Sequence, residues 1–185
     1  MDYTLLHLIN QMAGHVSAVD SFFKLVAKYG PALYAVPLLF MWFRGGDSAK
    51  KAALLSLATM AIALLVSQLI GHVYFRPRPY DAHPGGVNLL ISKSSDPSFP
   101  SDHATFSFAI AGVILLEDRR WGIASIAFGA LVAFSRVFVG IHYPLDVAGG
   151  AVLGMAAAVV MWQLRKFFDP LLNLLIGIAR RLKLA

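Results

Sequence analysis

Apolar runs alternate with short polar punctuation along this chain, and the length of each run decides what it can form. From Tyr3 to Met12, Leu5, Leu6, Leu8 and Ile9 sit beside His7, Asn10 and Gln11, a segment too short to span a bilayer and predicted to lie at its interface. Ser17 to Phe43 predicts a first span, bent at Gly30-Pro31 and at Pro37. After the turn Arg44 to Asp47, Lys50 to Phe75 predicts a second span, broken only by the small or polar Ser56, Thr59, Ser67, Gln68 and His72. Arg76 to Ser101 is rich in Pro, Gly and Ser, and belongs outside the hydrocarbon region or against a protein cavity. Asp102 to Leu116 predicts the third span, Trp121 to Ile141 the fourth and Leu145 to Leu164 the fifth; Glu117 to Arg120 forms a charged turn. Pro170 to Leu184 mixes Leu and Ile with Arg180, Arg181 and Lys183, and predicts an amphipathic surface helix. No internal repeat or low-complexity segment is visible. The expected fold is therefore all-α: a polytopic transmembrane bundle of about five spans, six being the alternative, with interfacial terminal helices, forming one domain over residues 1–185.

Composition agrees with this pattern and narrows the chemistry. A hydrophobic share of 58%, a charged share of 14% and a mean hydropathy of +0.67 place the chain in lipid. The absence of cysteine excludes disulfides, a thiolate nucleophile and cysteine metal sites. A net charge of +6 does not imply nucleic acid, because the basic residues flank apolar runs and read as topology determinants. Residues 1–10 contain no lysine or arginine, so no signal-peptide n-region is present there and the first span is expected to direct insertion. With five spans, one side carries ten basic residues: Arg44, Lys50, Lys51, Arg119, Arg120, Arg165, Lys166, Arg180, Arg181 and Lys183. The other carries six: Lys24, Lys28, Arg76, Arg78, Lys93 and Arg136. The positive-inside rule puts the first group in the cytoplasm, so the N-terminus and the Arg76 to Ser101 loop are expected to face outward.

Three polar segments fall on that outer face: Arg76 to Tyr80, Pro100 to His103, and Ser135-Arg136 through His142 to Asp146. Ionisable side chains gathered at span ends on one face suit a phosphorylated ligand. Arginine binds phosphate oxygens with a planar fork and keeps its charge. Ser101 is placed to begin a helix whose free N–H groups attract an anion. Pro144 suits the first position of another helix, which sets Asp146 one turn on, in reach of one ring nitrogen of His142; the other nitrogen is then an oriented nucleophile. His103, on a different helix, is available as general acid toward the leaving oxygen and later as base toward water.

These segments resemble the three-part signature of the type 2 phosphatidic acid phosphatase superfamily: lysine, six residues, Arg-Pro; Pro-Ser-Gly-His; then Ser-Arg, five residues, His, three residues, Asp. Arg78-Pro79 matches the end of the first part, Pro100 to His103 the second with Asp102 in place of glycine, and Ser135 to Asp146 the third completely. The resemblance implies that Arg78, Arg136 and Ser101 hold the phosphate, His103 protonates the leaving group, His142 becomes phosphohistidine and Asp146 orients it. The family lysine falls at Gly71, with Arg76 ranked first as its replacement, ahead of His72, and Asp102 is grouped with the phosphate-binding residues. The run Phe99 to Thr105, Phe-Pro-Ser-Asp-His-Ala-Thr, resembles the bacitracin-resistance branch, which implies hydrolysis of undecaprenyl diphosphate outside the cytoplasmic membrane. The implied partners are the polyprenyl diphosphate and the bilayer, with no nucleic acid, no obligate protein partner and no cofactor.

Other readings remain open at this level. A phosphatidate, phosphatidylglycerophosphate or diacylglycerol-diphosphate phosphatase would use the same residues. A divalent-metal hydrolase would need paired histidines at helical spacing or a carboxylate cluster, and neither is present, so no metal is expected. A transporter or lipid-binding protein would be expected to show repeats or a midplane site. Gly150 and Gly154 read as helix packing, and His72, His83, Asp81 and Lys93 as interfacial or loop residues.

Overall fold

The computed structural model describes residues 1–184, and every regular element among them is helical. The helices are α1 (Asp2–Asn10), α2 (Ser17–Tyr29), α3 (Ala35–Arg44), α4 (Asp47–Val73), α5 (Pro79–Ala82), α6 (Asp102–Glu117), α7 (Arg119–Phe138), α8 (Pro144–Gln163) and α9 (Arg165–Arg181). A 3₁₀ stretch, Gly30–Tyr34, joins α2 to α3 into one column from Ser17 to Arg44. The column changes character where Gly30-Pro31 was expected to bend it. Pro37 falls in the first turn of α3, where its missing N–H costs no helical bond.

The Ser17–Arg44 column, α4, α7 and α8 are each long and apolar enough to cross a membrane. The third predicted span, α6, has only 16 residues, a length of about 24 Å at ~1.5 Å per residue. It occupies the centre of the bundle, packed against α4, α7 and α8. That position explains a helix without a polar face: Ala104, Ile110, Ala111, Val113 and Ile114 are all buried on different sides of it. The outer surface exposes Val36, Leu65, Leu69 and Val152, as expected of side chains that meet lipid.

Small residues let α8 approach α6 closely. A Cβ at Gly150 would lie 2.5 Å from the Ser101 carbonyl oxygen, and one at Gly154 would lie 2.5 Å from that of Thr105 and 2.7 Å from the Ala109 nitrogen. Gly150 and Gly154 thus pack helices, as their spacing implied, and the first of them abuts the N-terminus of α6.

The terminal helices close opposite ends of the bundle. α1 crosses the end where α6 begins, burying Leu6 and Asn10 and exposing Leu5 and Leu8. α9 crosses the other end, tied by Lys51 to Asp169 at 3.0 Å, by an Arg180–Asp47 ion pair, and by the Trp42 indole to the Leu184 carbonyl at 2.7 Å. The amphipathic segment starts five residues earlier than its proline suggested, at Arg165, and carries Pro170 inside the helix, forfeiting one backbone bond. Between the far end of α6 and helices α3 and α7 lies an apolar cavity of about 640 Å³, lined by Tyr34, Phe40, Ile114 and Trp121 among others.

The α6–α8 contact yields a stability test. Gly154→Ala should destabilise the purified protein by roughly 1–3 kcal/mol, because the new methyl meets backbone that cannot step aside. Gly177→Ala, which meets nothing within 4 Å, should leave the unfolding midpoint unchanged or raise it. Equal midpoints for the two variants would contradict the close packing.

Candidate active site

The five residues between Arg136 and His142 are explained by one chain reversal. α7 ends at Phe138, and Gly140 adopts φ 80°, where a side chain would be strained and would lie 2.7 Å from Val87. The amides of Ile141 and His142 then fold back onto the Arg136 carbonyl at 3.2 and 3.4 Å. Arg136 and His142 are thereby brought side by side, and both are buried. Pro144 opens α8, as its position implied, and Asp146 caps the helix by accepting from the Tyr143 N–H at 2.9 Å.

Two hydrogen bonds decide the state of the His142 ring. Its Nδ1 lies 2.8 Å from the Ser98 carbonyl oxygen, which can only accept. Its Nε2 lies 3.3 Å from Nη1 of Arg78, which can only donate. Both contacts require the proton on Nδ1 and a lone pair on Nε2. His142 lies in the turn between α7 and α8, and burial lowers its pKa to about 4 against the opposing pull of Asp146, with Arg136 and Arg78 adding to the depression. The ring is accordingly a neutral base with its free nitrogen toward a guanidinium.

Asp146 was expected to accept directly from that ring. Its Oδ2 is instead 3.7 Å from His142 Nδ1, beyond hydrogen-bond range, and the Ser98 carbonyl takes the proton. Ser98 links the two groups, since its hydroxyl also donates to Asp146 Oδ2. The fully buried Asp146 further receives Arg76 Nη1 at 2.6 Å, and its own carbonyl accepts the Ser101 N–H at 3.0 Å.

The phosphate-binding candidates divide into two groups. Arg78 is held by the carbonyls of Asp96 and Ile141 at 2.9 and 3.1 Å, and Arg136 by that of Ala27 at 2.8 Å. Both remain directed into the cluster, where their charges reach His103 and His142. Ser101 begins α6 as expected but does not cap it: its buried hydroxyl has no partner, and neither has Nε of Arg136. Thr105 Oγ1 and Ser107 Oγ, farther along α6, are likewise unmatched, but Ser101 and Arg136 belong to the motifs, where an anion could satisfy them.

Arg76 and Asp102 depart from expectation. The guanidinium of Arg76 is bound to Asp146 and, at 2.6 Å, to Asp2, and it stacks 4.0 Å above the Tyr143 ring. Its charge is balanced by carboxylates, so it does not replace the missing lysine as a phosphate ligand. At Gly71, the loop lies directly over the Cα, with Pro97 and Phe99 3.5–3.6 Å from where a Cβ would be. The Asp102 carboxylate turns toward α4, accepting from Ser67 at 2.6 Å and Gln68 at 2.5 Å, and clamps the two helices together. His103, in the first turn of α6, is half-buried in the same cluster.

The other candidates are structural. His83 stacks on Tyr3 with centroids 3.7 Å apart, the His72 ring meets its own helix at Gln68, and Lys93 and Asp81 form an exposed pair at 3.9 Å. Sequence reasoning missed Ser98 and Asp2. Ser98 lies in an irregular loop where no periodicity marks it, and Asp2 belongs to no motif.

Residues 52–169 match the PAP2 superfamily model. The chain belongs to the PAP2 superfamily. It is 35% identical to undecaprenyl-diphosphatase BcrC of Bacillus subtilis over 96% of this chain and 91% of the relative. It is 30% identical to an undecaprenyl-diphosphatase of Sulfolobus acidocaldarius over 81% of this chain and 71% of that protein. The crystal structure of Aquifex aeolicus LpxE superposes with a TM-score of 0.70 at 25% identity, covering 88% of this chain and 94% of that one. As a PAP2 protein the chain is a multi-pass membrane phosphatase, and its two matched motif histidines lie in one cluster with both matched arginines.

The ring state can be read by nitrogen NMR. In detergent, His142 should remain a neutral Nδ1–H tautomer at pH 5.5, where an ordinary histidine is mostly protonated, and should charge only near pH 4. A midpoint near 6.5, or an Nε2–H tautomer, would contradict the assigned hydrogen bonds.

Proposed function

We propose that this chain hydrolyses undecaprenyl diphosphate to undecaprenyl phosphate and inorganic phosphate, through a phosphohistidine at His142 and without a metal. One observation carries the mechanism: the free Nε2 of His142 faces the Arg78 guanidinium across 3.3 Å, so a phosphoryl group drawn to the arginine arrives at the nucleophile. The names of the Bacillus and Sulfolobus relatives support the substrate.

In the first step Nε2 attacks the terminal phosphorus, and the bond from that phosphorus to the bridging oxygen breaks. The anionic diphosphate offsets the charges of Arg78 and Arg136, so that His103 enters the reaction protonated and gives its proton to the leaving lipid phosphate. Charge on the transferring oxygens is met by Arg78 and Arg136, by the Ser101 hydroxyl and by the first N–H groups of α6. His103, now neutral, takes a proton from water, which attacks the phosphohistidine and releases phosphate. Asp146 holds the Ser98 and Tyr143 segments that fix the ring.

The membrane is the bacterial cytoplasmic membrane and the site faces outward, returning the lipid carrier for wall synthesis. Support comes from the charge distribution: Arg44, Lys50, Lys51, Arg180 and Arg181 lie at the α9 end, opposite the pocket.

Purified protein in chelator should release phosphate from undecaprenyl diphosphate faster than from phosphatidate, and the reverse order would overturn the substrate. Replacing His142 should abolish an acid-labile phosphoenzyme, whereas replacing His103 should slow its formation and breakdown by roughly 10²–10⁴-fold. A substrate with a good leaving group should restore part of the rate to the His103 variant alone; equal responses would refute the division of roles.

Orientation is open to labelling, because the chain has no cysteine of its own. Ser95→Cys, exposed beside the pocket, should react with an impermeant thiol reagent in intact cells. Ser48→Cys, exposed at the other end, should react only after lysis, and the opposite pattern would invert the topology.

A further inference from the structure

The contacts of α1 reach beyond packing. Asp2, at its first turn, accepts Arg76 Nη2 at 2.6 Å through one carboxylate oxygen and the Leu145 N–H at 3.1 Å through the other. Leu145 is in the first turn of α8, one residue before Asp146. Arg76 places its second nitrogen on Asp146 Oδ1, also at 2.6 Å, while its plane is supported by the Tyr143 ring. One guanidinium thus bridges a carboxylate on the N-terminal helix and the buried carboxylate that holds Ser98 against His142.

The rest of α1 is fixed well enough to act as a reference for that bridge. Tyr3 bonds the Gly86 carbonyl at 3.2 Å and stacks on His83. Asn10, almost fully buried at the other end, donates to the carbonyls of Asn88 and Phe138 at 2.9 and 2.8 Å and accepts the Asn88 N–H at 2.8 Å. Its partners lie in the loop before the second motif and at the end of α7, so α1 spans two segments that build the pocket.

We infer that Asp2 is a positioning residue for the phosphatase: it fixes the Arg76 fork, which holds Asp146 and thereby the Ser98 carbonyl that keeps the His142 proton on Nδ1. Two carboxylates are needed because the fork must be fixed at both tips. With Asp2 removed, Arg76, which is partly exposed, keeps the Tyr143 ring and one carboxylate, its fork is fixed at one tip only, and the Asp146 oxygen loses a fixed donor. The effect falls on the geometry of attack, not on substrate binding, since neither Asp2 nor Arg76 lies among the groups assigned to the phosphate. This inference rests on His142 acting as the nucleophile.

The test uses the full chain in lipid nanodiscs with undecaprenyl diphosphate. Asp2→Asn should lower kcat roughly 10- to 100-fold with KM changed less than threefold, the pattern of a misplaced nucleophile. Arg76→Lys, which keeps the charge but loses the fork, should do the same. Asp2→Asn combined with Arg76→Gln should be no slower than Arg76→Gln alone, because both act through one bridge. Full kcat in Asp2→Asn or in Arg76→Lys, or losses that multiply in the double variant, would overturn the assignment. The His142 nitrogen resonances give a reading independent of turnover: Asp2→Asn should shift Nδ1, and an unchanged resonance in the folded variant also overturns it. A wild-type chain that releases no phosphate from any lipid phosphate refutes the proposed function, and the resonance still decides the role of Asp2.

Discussion

The site is organised around a carboxylate that no water reaches. Asp146 is fully buried near the end of a membrane bundle, where an unpaired charge would be costly enough to unfold its surroundings. Its two oxygens are met by Arg76, by the Ser98 hydroxyl and by the Tyr143 N–H, and its carbonyl by the Ser101 N–H. These donors come from the loop after α4, from the segment before α6, and from the start of α8. Satisfying one charge therefore draws together the parts of the chain that carry the chemistry. Removing one partner from such a buried pair typically costs about 3–5 kcal/mol, enough to make the arrangement all-or-none.

Around this anchor, the positive groups are deliberately under-satisfied. Arg78 and Arg136 are oriented by backbone carbonyls, which fix their direction without neutralising them. Ser101 Oγ and Arg136 Nε have no partner, although buried polar atoms normally find one. Arg76 shows the contrast: two carboxylates balance its charge, and its work is structural. The same residue type thus serves two purposes in one cluster, separated by what lies opposite the fork.

Helix packing sets the depth and spacing of the pocket. Gly150 lets α8 come within contact of the Ser101 carbonyl, so the helix that follows His142 and the helix that carries His103 start side by side. Asp102 adds a lateral tie, its carboxylate gripping Ser67 and Gln68 of α4. Because α6 is shorter than the helices around it, its N-terminus with the polar cluster can sit inside the bundle instead of at its rim.

The helical class, the order of the spans, the break in α-helix at Gly30-Pro31, the amphipathic ends and the residues of the motifs follow from the sequence alone. Each depends on local properties: run length against bilayer thickness, proline and glycine at breaks, and fixed spacing within one turn or reversal. The sequence could not say which of several polar residues would face each other across elements distant in the chain. Arg76 and Arg78 are two residues apart and equally basic, yet one pairs with Asp2 and Asp146 while the other faces His142. Asp146 lies four residues from His142, yet the ring proton goes to the Ser98 carbonyl, and a backbone acceptor leaves no trace in residue identity. The motif groups Asp102 with the anion site, and the packing of α6 against α4 engages both its carboxylate oxygens with Ser67 and Gln68. Spacing determines which side chains can share a face, but the competition among donors for each buried charge is settled only when all the helices have packed.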